Sequence, residues 1–217
     1  MLLPFDGRME TKAVTCRPIN SIHTITEFIK RKAARSVTIK TRHFNPLTDE
    51  QIKRHLSGEQ LIGIYPLLLN NTSHFIAADF DGDNWLGEAR KFIQACEVSG
   101  LPVYLERSRS GNGGHAWLFL SEAYPSFKSR KVFLSILQAT GIFSVFDKDS
   151  SFDRLFPNQD SLSGKGLGNL IALPLFKKSL DQGNSCFINL STAEAHSDQW
   201  QFLKSIKRIE IIKMRIY

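Results

Sequence analysis

Two aspartates at the end of an apolar run are the clearest candidates for chemistry. Asp79 and Asp81 stand in FIAADFDGD. Alternate residues of a β-strand lie on the same face, about 6.6 Å from each other, so both carboxylates could bind one ligand. Such pairs repel each other unless they share a proton or hold a cation. Oxygen ligands on a rigid strand suit Mg²⁺ or Mn²⁺, and two such ions could support phosphoryl displacement. D-x-D alone is equally compatible with two solvated acids.

Two specific motifs that share this pattern do not fit the chain. An EF-hand loop starting at Asp79 needs glycine at its sixth position and glutamate at its twelfth, where this sequence has Asn84 and Arg90. Phosphatases of the haloacid dehalogenase type resemble D-x-D-x-T/V, and Asp83 stands where their threonine or valine would be. A metal-dependent phosphoesterase remains an alternative that rests on D-x-D alone.

A glycine-rich turn in ERSRSGNGGHAWLFL is the second candidate. Ser108, Arg109 and Ser110 precede the glycines, and His115 opens the next apolar run. Glycines let the backbone approach an anion, exposed amides can surround it, and His115 with Arg107 or Arg109 would add donors for a triphosphate. A histidine that begins an apolar strand is often only a core residue, but the serines and glycines before it favour function. The turn is not a Walker loop, because no GK[ST] follows.

The third candidate is a polar segment, SFDRLFPNQDSLSGKGLGNLIALPLF. It is richer in polar and charged side chains than a simple connection between strands requires, and such side chains supply the hydrogen bonds that line binding sites. They are Asp153, Arg154, Asn158, Gln159, Asp160, Lys165 and Asn169.

Hydrophobic periodicity indicates which elements must position these groups. It predicts strands in LIGIYPLLL, HFIAADFD, PVYLERS, HAWLFL, NLIALPLF and CFINL. It predicts helices in TDEQIKRHLSG, capped by Thr48, and in WLGEARKFIQACEVSG, SFKSRKVFLSILQATG and DQWQFLKSIKRI. Thr24 and Glu27 have capping-box spacing and predict one more short, exposed helix. Interspersed strands and helices indicate an α+β or two-layer α/β fold around one main sheet.

Composition narrows the class of protein. The 217 residues are 42% hydrophobic, which is enough for a substantial core and unlike a disordered chain. Lys and Arg number 28 against 21 Asp and Glu, giving a net charge of +7 that favours a polyanionic partner. Three separated cysteines argue against a disulfide framework or thiolate zinc site, and no apolar run has membrane-helix length. A soluble, cytoplasmic protein is therefore expected.

Taken in order, D-x-D, a serine-glycine hairpin ending in histidine and a later aspartate resemble the three motifs of the archaeo-eukaryotic primase superfamily. Five sequence segments most resemble the primase domain of TOTE conflict systems and are also similar to CRISPR-associated primase-polymerases. They are HLSGEQLIGIYPLLL, FIAADFDGD, GLPVYLERSRSGNGGHAWLFL, FDRLFPNQD and GKGLGNLIALPLF. The resemblance implies a catalytic core with an RRM-like, mainly antiparallel sheet packed by helices. It also implies template-directed nucleotidyl transfer with two Mg²⁺ or Mn²⁺ ions.

The resemblance assigns roles to individual residues. Asp79, Asp81 and Asp153 would bind the metals. The same three aspartates and His115 would form the catalytic set. Asp160 is a conceivable substitute for Asp153. Nucleotide binding is expected from the second motif and from three residues chosen on charge and placement. This expected nucleotide-binding set is Ser108, Arg109, Ser110, His115, Lys165 and Asn169.

The resemblance also divides the chain. The primase-polymerase domain is expected to span residues 45–203. Residues 1–44, which precede it, are a basic segment that matches the family poorly, and residues 204–217 are a basic tail. The expected partners are nucleoside triphosphates, a single-stranded DNA or RNA template and a helicase or nuclease module in trans, the last because family members are commonly fused to such modules. A catalytically inactive or truncated remnant that only binds single-stranded nucleic acid is the main alternative.

Overall fold

The computed structural model describes residues 23–26, 45–143, 150–163 and 167–210. Its main element is a five-stranded antiparallel sheet in the order β7-β4-β6-β5-β9. The strands of this sheet are β4 (Thr72–Asp81), β5 (Tyr104–Arg107), β6 (Gly113–Pro125), β7 (Phe152–Phe156) and β9 (Cys186–Phe187). Two helices, α2 (Trp85–Val98) and α3 (Ser126–Ala139), connect them. The order β4-α2-β5-β6-α3-β7 is a βαββαβ unit, so the predicted RRM-like sheet is confirmed.

One face of the main sheet carries the larger core. The even-numbered residues Ile76, Ala78 and Phe80 of β4 point to this face and pack against α2 and α3. Phe92 of α2 and Phe133 of α3 meet edge to face with ring centroids 5.1 Å apart. The odd-numbered residues of β4 therefore point to the opposite face, where Asp79 and Asp81 lie.

A second, four-stranded antiparallel sheet in the order β2-β1-β3-β8 covers part of that opposite face. It contains β1 (His23–Thr26), β2 (Asn45–Pro46), β3 (Ile62–Ile64) and β8 (Ile171–Ala172). Ile64 and Ile171 from this sheet pack with Phe75, Trp117 and Phe156 of the main sheet in a smaller core. The apolar part of the face is thus closed, and the acidic end of β4 is left at its border.

Three short helices complete the described part of the chain: α1 (Asp49–Leu56), α4 (Lys177–Leu180) and α5 (Gln199–Ser205). The predicted cap is present, because Oγ1 of Thr48 accepts a hydrogen bond from the Gln51 amide at 3.3 Å. Beyond α5, Ile209 is 3% exposed and forms an isolated bridge with Leu120 in the middle of β6. Within the described residues no helix is long and apolar enough to span a membrane.

A helix start at Thr24 is wrong, because His23–Thr26 form β1, and the rest of the predicted helix lies outside the described residues. Thr24 lies in β1, where its backbone is opposite Asn45 on one side and Ile64 on the other. The β-branched residues of HTIT suit an extended backbone, and ladder hydrogen bonds to two neighbouring strands outweigh a capping-box spacing. Glu27 lies outside the described residues.

Candidate active site

The two aspartates of D-x-D lie where β4 leaves the covered part of the sheet. Asp79 is opposite His115 of β6, and Asp81 is opposite Gly113. Asp79 is 9% exposed, whereas Asp81 is exposed. A Cβ atom at Gly113 would lie 2.5 Å from the carbonyl oxygen of Phe80 and closer still to Oδ1 of Asp81. The glycine therefore leaves room for the Asp81 carboxylate beside the neighbouring strand.

A β-bulge brings the third aspartate to the same place. In the ladder between β4 and β7, Asp79 is opposite Arg154 but Phe80 is opposite Phe152, so Asp153 is the extra residue. In a regular ladder Asp153 would pair with Phe80 and point to the helix side; bulges are a common means of re-aiming a side chain. Ligand atoms of Asp79, Asp81 and Asp153 lie within 4.8 Å of one another.

This acidic cluster carries unfavourable charge when it holds no cation. Burial, with repulsion from Asp81 and Asp153, raises the pKa of Asp79 to about 6 although His115 attracts its charge. Three carboxylates this close, one largely buried, form the oxygen-rich donor set that hard divalent cations prefer. The residues present therefore fit Mg²⁺ or Mn²⁺.

His115 lies between two carboxylates. Its Nε2 is 3.4 Å from Oδ1 of Asp79, and its Nδ1 is 3.0 Å from Oε2 of Glu106. Burial opposes a charged ring, but Glu106, Asp79 and Asp81 outweigh that effect and raise the pKa of His115. Each ring nitrogen therefore faces a carboxylate oxygen, and a ring that carries protons on both nitrogens could donate to both.

The serine-glycine turn forms one wall of a cleft beside this cluster. The Ser108 amide donates to the carbonyl of Gly113 at 2.9 Å and closes the hairpin, while the hydroxyls of Ser108 and Ser110 are 3.1 Å apart. The cleft has a volume of about 210 Å³. Its lining combines acids, donors and apolar side chains: Asp79, Asp81, Glu106, Ser108, Arg109, Ser110, His115, Phe156, Leu170, Ile171, Ala172 and Ser185.

Three residues considered from the sequence lie elsewhere or outside the description. Arg107 points away from the cleft and donates to the carbonyls of Gly183 and Ala193 at 3.0 and 2.7 Å, so it anchors a loop. Asp160 pairs with Arg130 on α3 at 2.7 Å and is not part of the three-acid cluster. Lys165 lies outside the described residues. Asn169 directly precedes Leu170 of the cleft wall.

Glu106 is the residue of this site that the sequence analysis missed. It is 2% exposed, and its Oε2 accepts hydrogen bonds from His115 and from Nε1 of Trp117, the latter at 2.8 Å. The available signal was the hairpin itself: pairing across the turn puts Glu106 opposite His115. Arg154 donates from Nε to Asp153 at 2.5 Å. The sequence indicates Arg154 only as one of several polar residues in its segment.

Comparisons with known proteins identify the family of the chain. The family model described as "TOTE conflict system, Archaeo-Eukaryotic Primase domain" matches residues 11–216. Among solved structures, the chain is similar to the archaeo-eukaryotic primase domain of the primase-polymerase of cyanophage S-2L. That likeness has 13% sequence identity and a TM-score of 0.35, and covers 65% of this chain and 83% of the phage one. The search of curated proteins gave no match. The family-model match over residues 11–216, nearly the whole sequence, shows that this chain belongs to the archaeo-eukaryotic primase domain family of TOTE conflict systems.

Proposed function

We propose that the chain is a primase-polymerase core that joins nucleotides on a template by metal-dependent phosphoryl transfer. The observation that carries this proposal is the convergence of Asp79, Asp81 and Asp153 beside His115 at one cleft. These residues come from three different strands, β4, β6 and β7, and the sheet register brings them together. Family membership supports a primase-like nucleotidyltransferase, and the cleft supports the particular roles below.

Asp79, Asp81 and Asp153 would hold two divalent ions, Mg²⁺ or Mn²⁺. Bound there, such ions would stabilise the charge on the attacking 3′-hydroxyl oxygen and on the leaving phosphate oxygen. Asp79 lies on a strand that is paired on both sides, opposite His115 and Arg154, which keeps its carboxylate in place, whereas Asp81 and Asp153 are exposed. In this arrangement the Asp79 carboxylate would be a fixed metal ligand, and the carboxylates of Asp81 and Asp153 would be metal ligands accessible from the mouth of the cleft.

The opposite wall would bind the triphosphate of the incoming nucleotide. His115 directs a ring nitrogen towards Asp79 and can donate to a phosphate oxygen. Ser108 and Ser110 supply hydroxyl groups at the turn, and Arg109 is exposed at its tip. Asn169 and Lys165 are assigned to the nucleotide because they flank the segment that leads into Leu170.

The apolar wall and the charge of the chain suggest how the remaining substrate parts bind. Phe156, Ile171 and Ala172 line the cleft and offer a surface for the sugar and base while excluding water. A single-stranded DNA or RNA template would be attracted by the net charge of +7 and held mainly through its phosphates, so its binding should weaken as salt rises. A helicase or nuclease module in trans remains an expected partner.

The decisive experiment is primer synthesis on single-stranded DNA. The wild-type protein should incorporate labelled nucleotides only with Mn²⁺ or Mg²⁺ and only when they complement the template, and Asp79→Ala with Asp81→Ala should abolish this. Incorporation that survives the double substitution would refute the assignment. Template binding without metal-dependent stabilisation or incorporation would favour the inactive remnant, and hydrolysis of a phosphate ester without template would favour a phosphoesterase.

A further inference from the structure

We propose that Glu106 is a positioning residue that holds His115 in the orientation needed to donate to the nucleotide's phosphates. The inference rests on the proposed function of the cleft and adds a role for a side chain that does not belong to the three aspartates. Glu106 lies on β5, opposite His115 on β6.

The first reason is the burial of the Glu106 carboxylate. With 2% exposure, Glu106 stands among the fully enclosed side chains of the sheet, although removing a carboxylate from water is strongly unfavourable unless it is paired and hydrogen-bonded. The compensation is local. Oε2 accepts from Nδ1 of His115 at 3.0 Å and from Nε1 of Trp117 at 2.8 Å. An apolar residue would fill the same space without this penalty, so the charge has a use beyond packing.

The second reason is the direction that Glu106 imposes on the ring. Oε2 of Glu106 already accepts from Nε1 of Trp117, which can only donate, so we assign the proton between Glu106 and His115 to Nδ1 of His115. The other nitrogen, Nε2, then faces Asp79 at 3.4 Å and the cleft. Rotation of the ring would break the Glu106 bond and turn Nε2 away. Glu106 therefore fixes which nitrogen meets the substrate, although it does not itself contact the substrate.

Two substitutions separate this role from simple support of the core. Glu106→Gln keeps the size and one acceptor oxygen but removes the charge. Trp117→Phe is the matched control, because it removes the other donor to Oε2 while keeping a buried aromatic ring. Both are combined with His115→Ala, so that an effect transmitted through His115 can be distinguished from an independent one.

The measurement is the affinity for a non-hydrolysable nucleoside triphosphate in the presence of Mn²⁺. Charge-assisted bonds are about twice as strong as neutral ones, so Glu106→Gln should weaken binding about tenfold, whereas Trp117→Phe should change it less than twofold. In the His115→Ala background Glu106→Gln should have no further effect. Equal losses for both single variants, or a full tenfold loss without His115, would overturn the positioning role.

A second readout works without metal or nucleotide. In the wild-type protein the Nδ1 proton of His115 should give a slowly exchanging nitrogen-bound proton signal by NMR, and exchange should accelerate in Glu106→Gln. Equal exchange in the two proteins contradicts the inference directly. If the wild-type protein bound no triphosphate analogue, the proposed function would fall instead, and the NMR comparison would still decide whether Glu106 orients the ring.

Discussion

Replacing Asp79 by asparagine should stabilise the metal-free protein, although it should destroy the proposed metal site. Burial and two neighbouring acids raise the pKa of Asp79 from 3.8 to about 6. A group whose folded-state pKa lies above its unfolded value destabilises the fold when ionised. Here the penalty is complete above pH 6 and disappears as pH falls from 6 towards 3.8.

The size of the effect follows from the same pKa. At pH 7 the ionised Asp79 should lower the free energy of unfolding by about 3 kcal/mol, and at pH 4.5 by about 1 kcal/mol. For a chain of this length about 3 kcal/mol corresponds to a rise in Tm of roughly 6 to 12 °C for Asp79→Asn at pH 7. Asparagine keeps the size of the side chain and an oxygen that can accept from His115, so packing should change little.

The assay is denaturant unfolding in EDTA across this pH range, comparing wild type with Asp79→Asn. Asp160→Asn is a matched control because Asp160 is an exposed acid paired with Arg130, so that variant should not be stabilised. Comparing each variant with wild type at one pH removes other titrating groups from the difference. Equal stability of wild type and Asp79→Asn at pH 7, or a difference in stability that does not narrow on acidification, would show that the ionised Asp79 does not destabilise the fold.

Four further predictions concern neighbouring parts of the structure. Gly113→Ala should lower stability by about 1 to 3 kcal/mol, measured by denaturant unfolding, because its Cβ would meet Phe80 and Asp81. His55→Ala should lower the same free energy by about 3 kcal/mol, because buried His55 accepts from the Ile62 amide and its Nε2 lies 2.9 Å from the Pro174 carbonyl oxygen. Burial lowers the pKa of His55, so the stability from its neutral form should be present above pH 6.5 and fade below it, the opposite direction to Asp79. Arg107→Met should reduce Tm without weakening binding of the triphosphate analogue, whereas Arg109→Met should weaken binding without reducing Tm.

Each of these substitutions has a clear contrary result. Unchanged stability in Gly113→Ala would mean that the strands separate there without penalty. A His55→Ala protein as stable as wild type would show that water replaces both hydrogen bonds. A loss of analogue affinity in Arg107→Met larger than in Arg109→Met would reverse the division of roles between anchor and ligand.

The sequence predicted the parts of the site that depend on local pattern. Alternation in β4 placed Asp79 and Asp81 on one face, and the short glycine turn before β6 placed His115 at the start of an apolar strand. The same hairpin pattern could have identified Glu106, because a short turn largely fixes which residues lie opposite each other. What the pattern did not supply was a reason to expect a buried carboxylate there.

The rest depends on long-range register. Asp153 reaches the cluster only because a bulge against β4 shifts it from the helix side of the sheet to the cleft side. No feature of FDRLF distinguishes this from regular pairing. Phe152 packs against Phe80 and Phe143 on the helix side of the sheet, and these contacts are not visible in the local sequence. The helix start predicted at Thr24 is wrong for a similar reason: Thr24 pairs with two strands that are distant from it in the sequence.

The most direct test of the account compares Asp153→Asn with Asp160→Asn in template-dependent incorporation of one labelled, complementary nucleotide with Mn²⁺. The two aspartates are close in sequence, but only Asp153 lies in the three-acid cluster, while Asp160 pairs with Arg130. Asp153→Asn should lower incorporation by at least about 100-fold, of the order seen when a charge-stabilising group is removed from an active site. Asp160→Asn should retain it. Incorporation retained in Asp153→Asn at the level of Asp160→Asn would contradict the claim that these three carboxylates form the catalytic metal site.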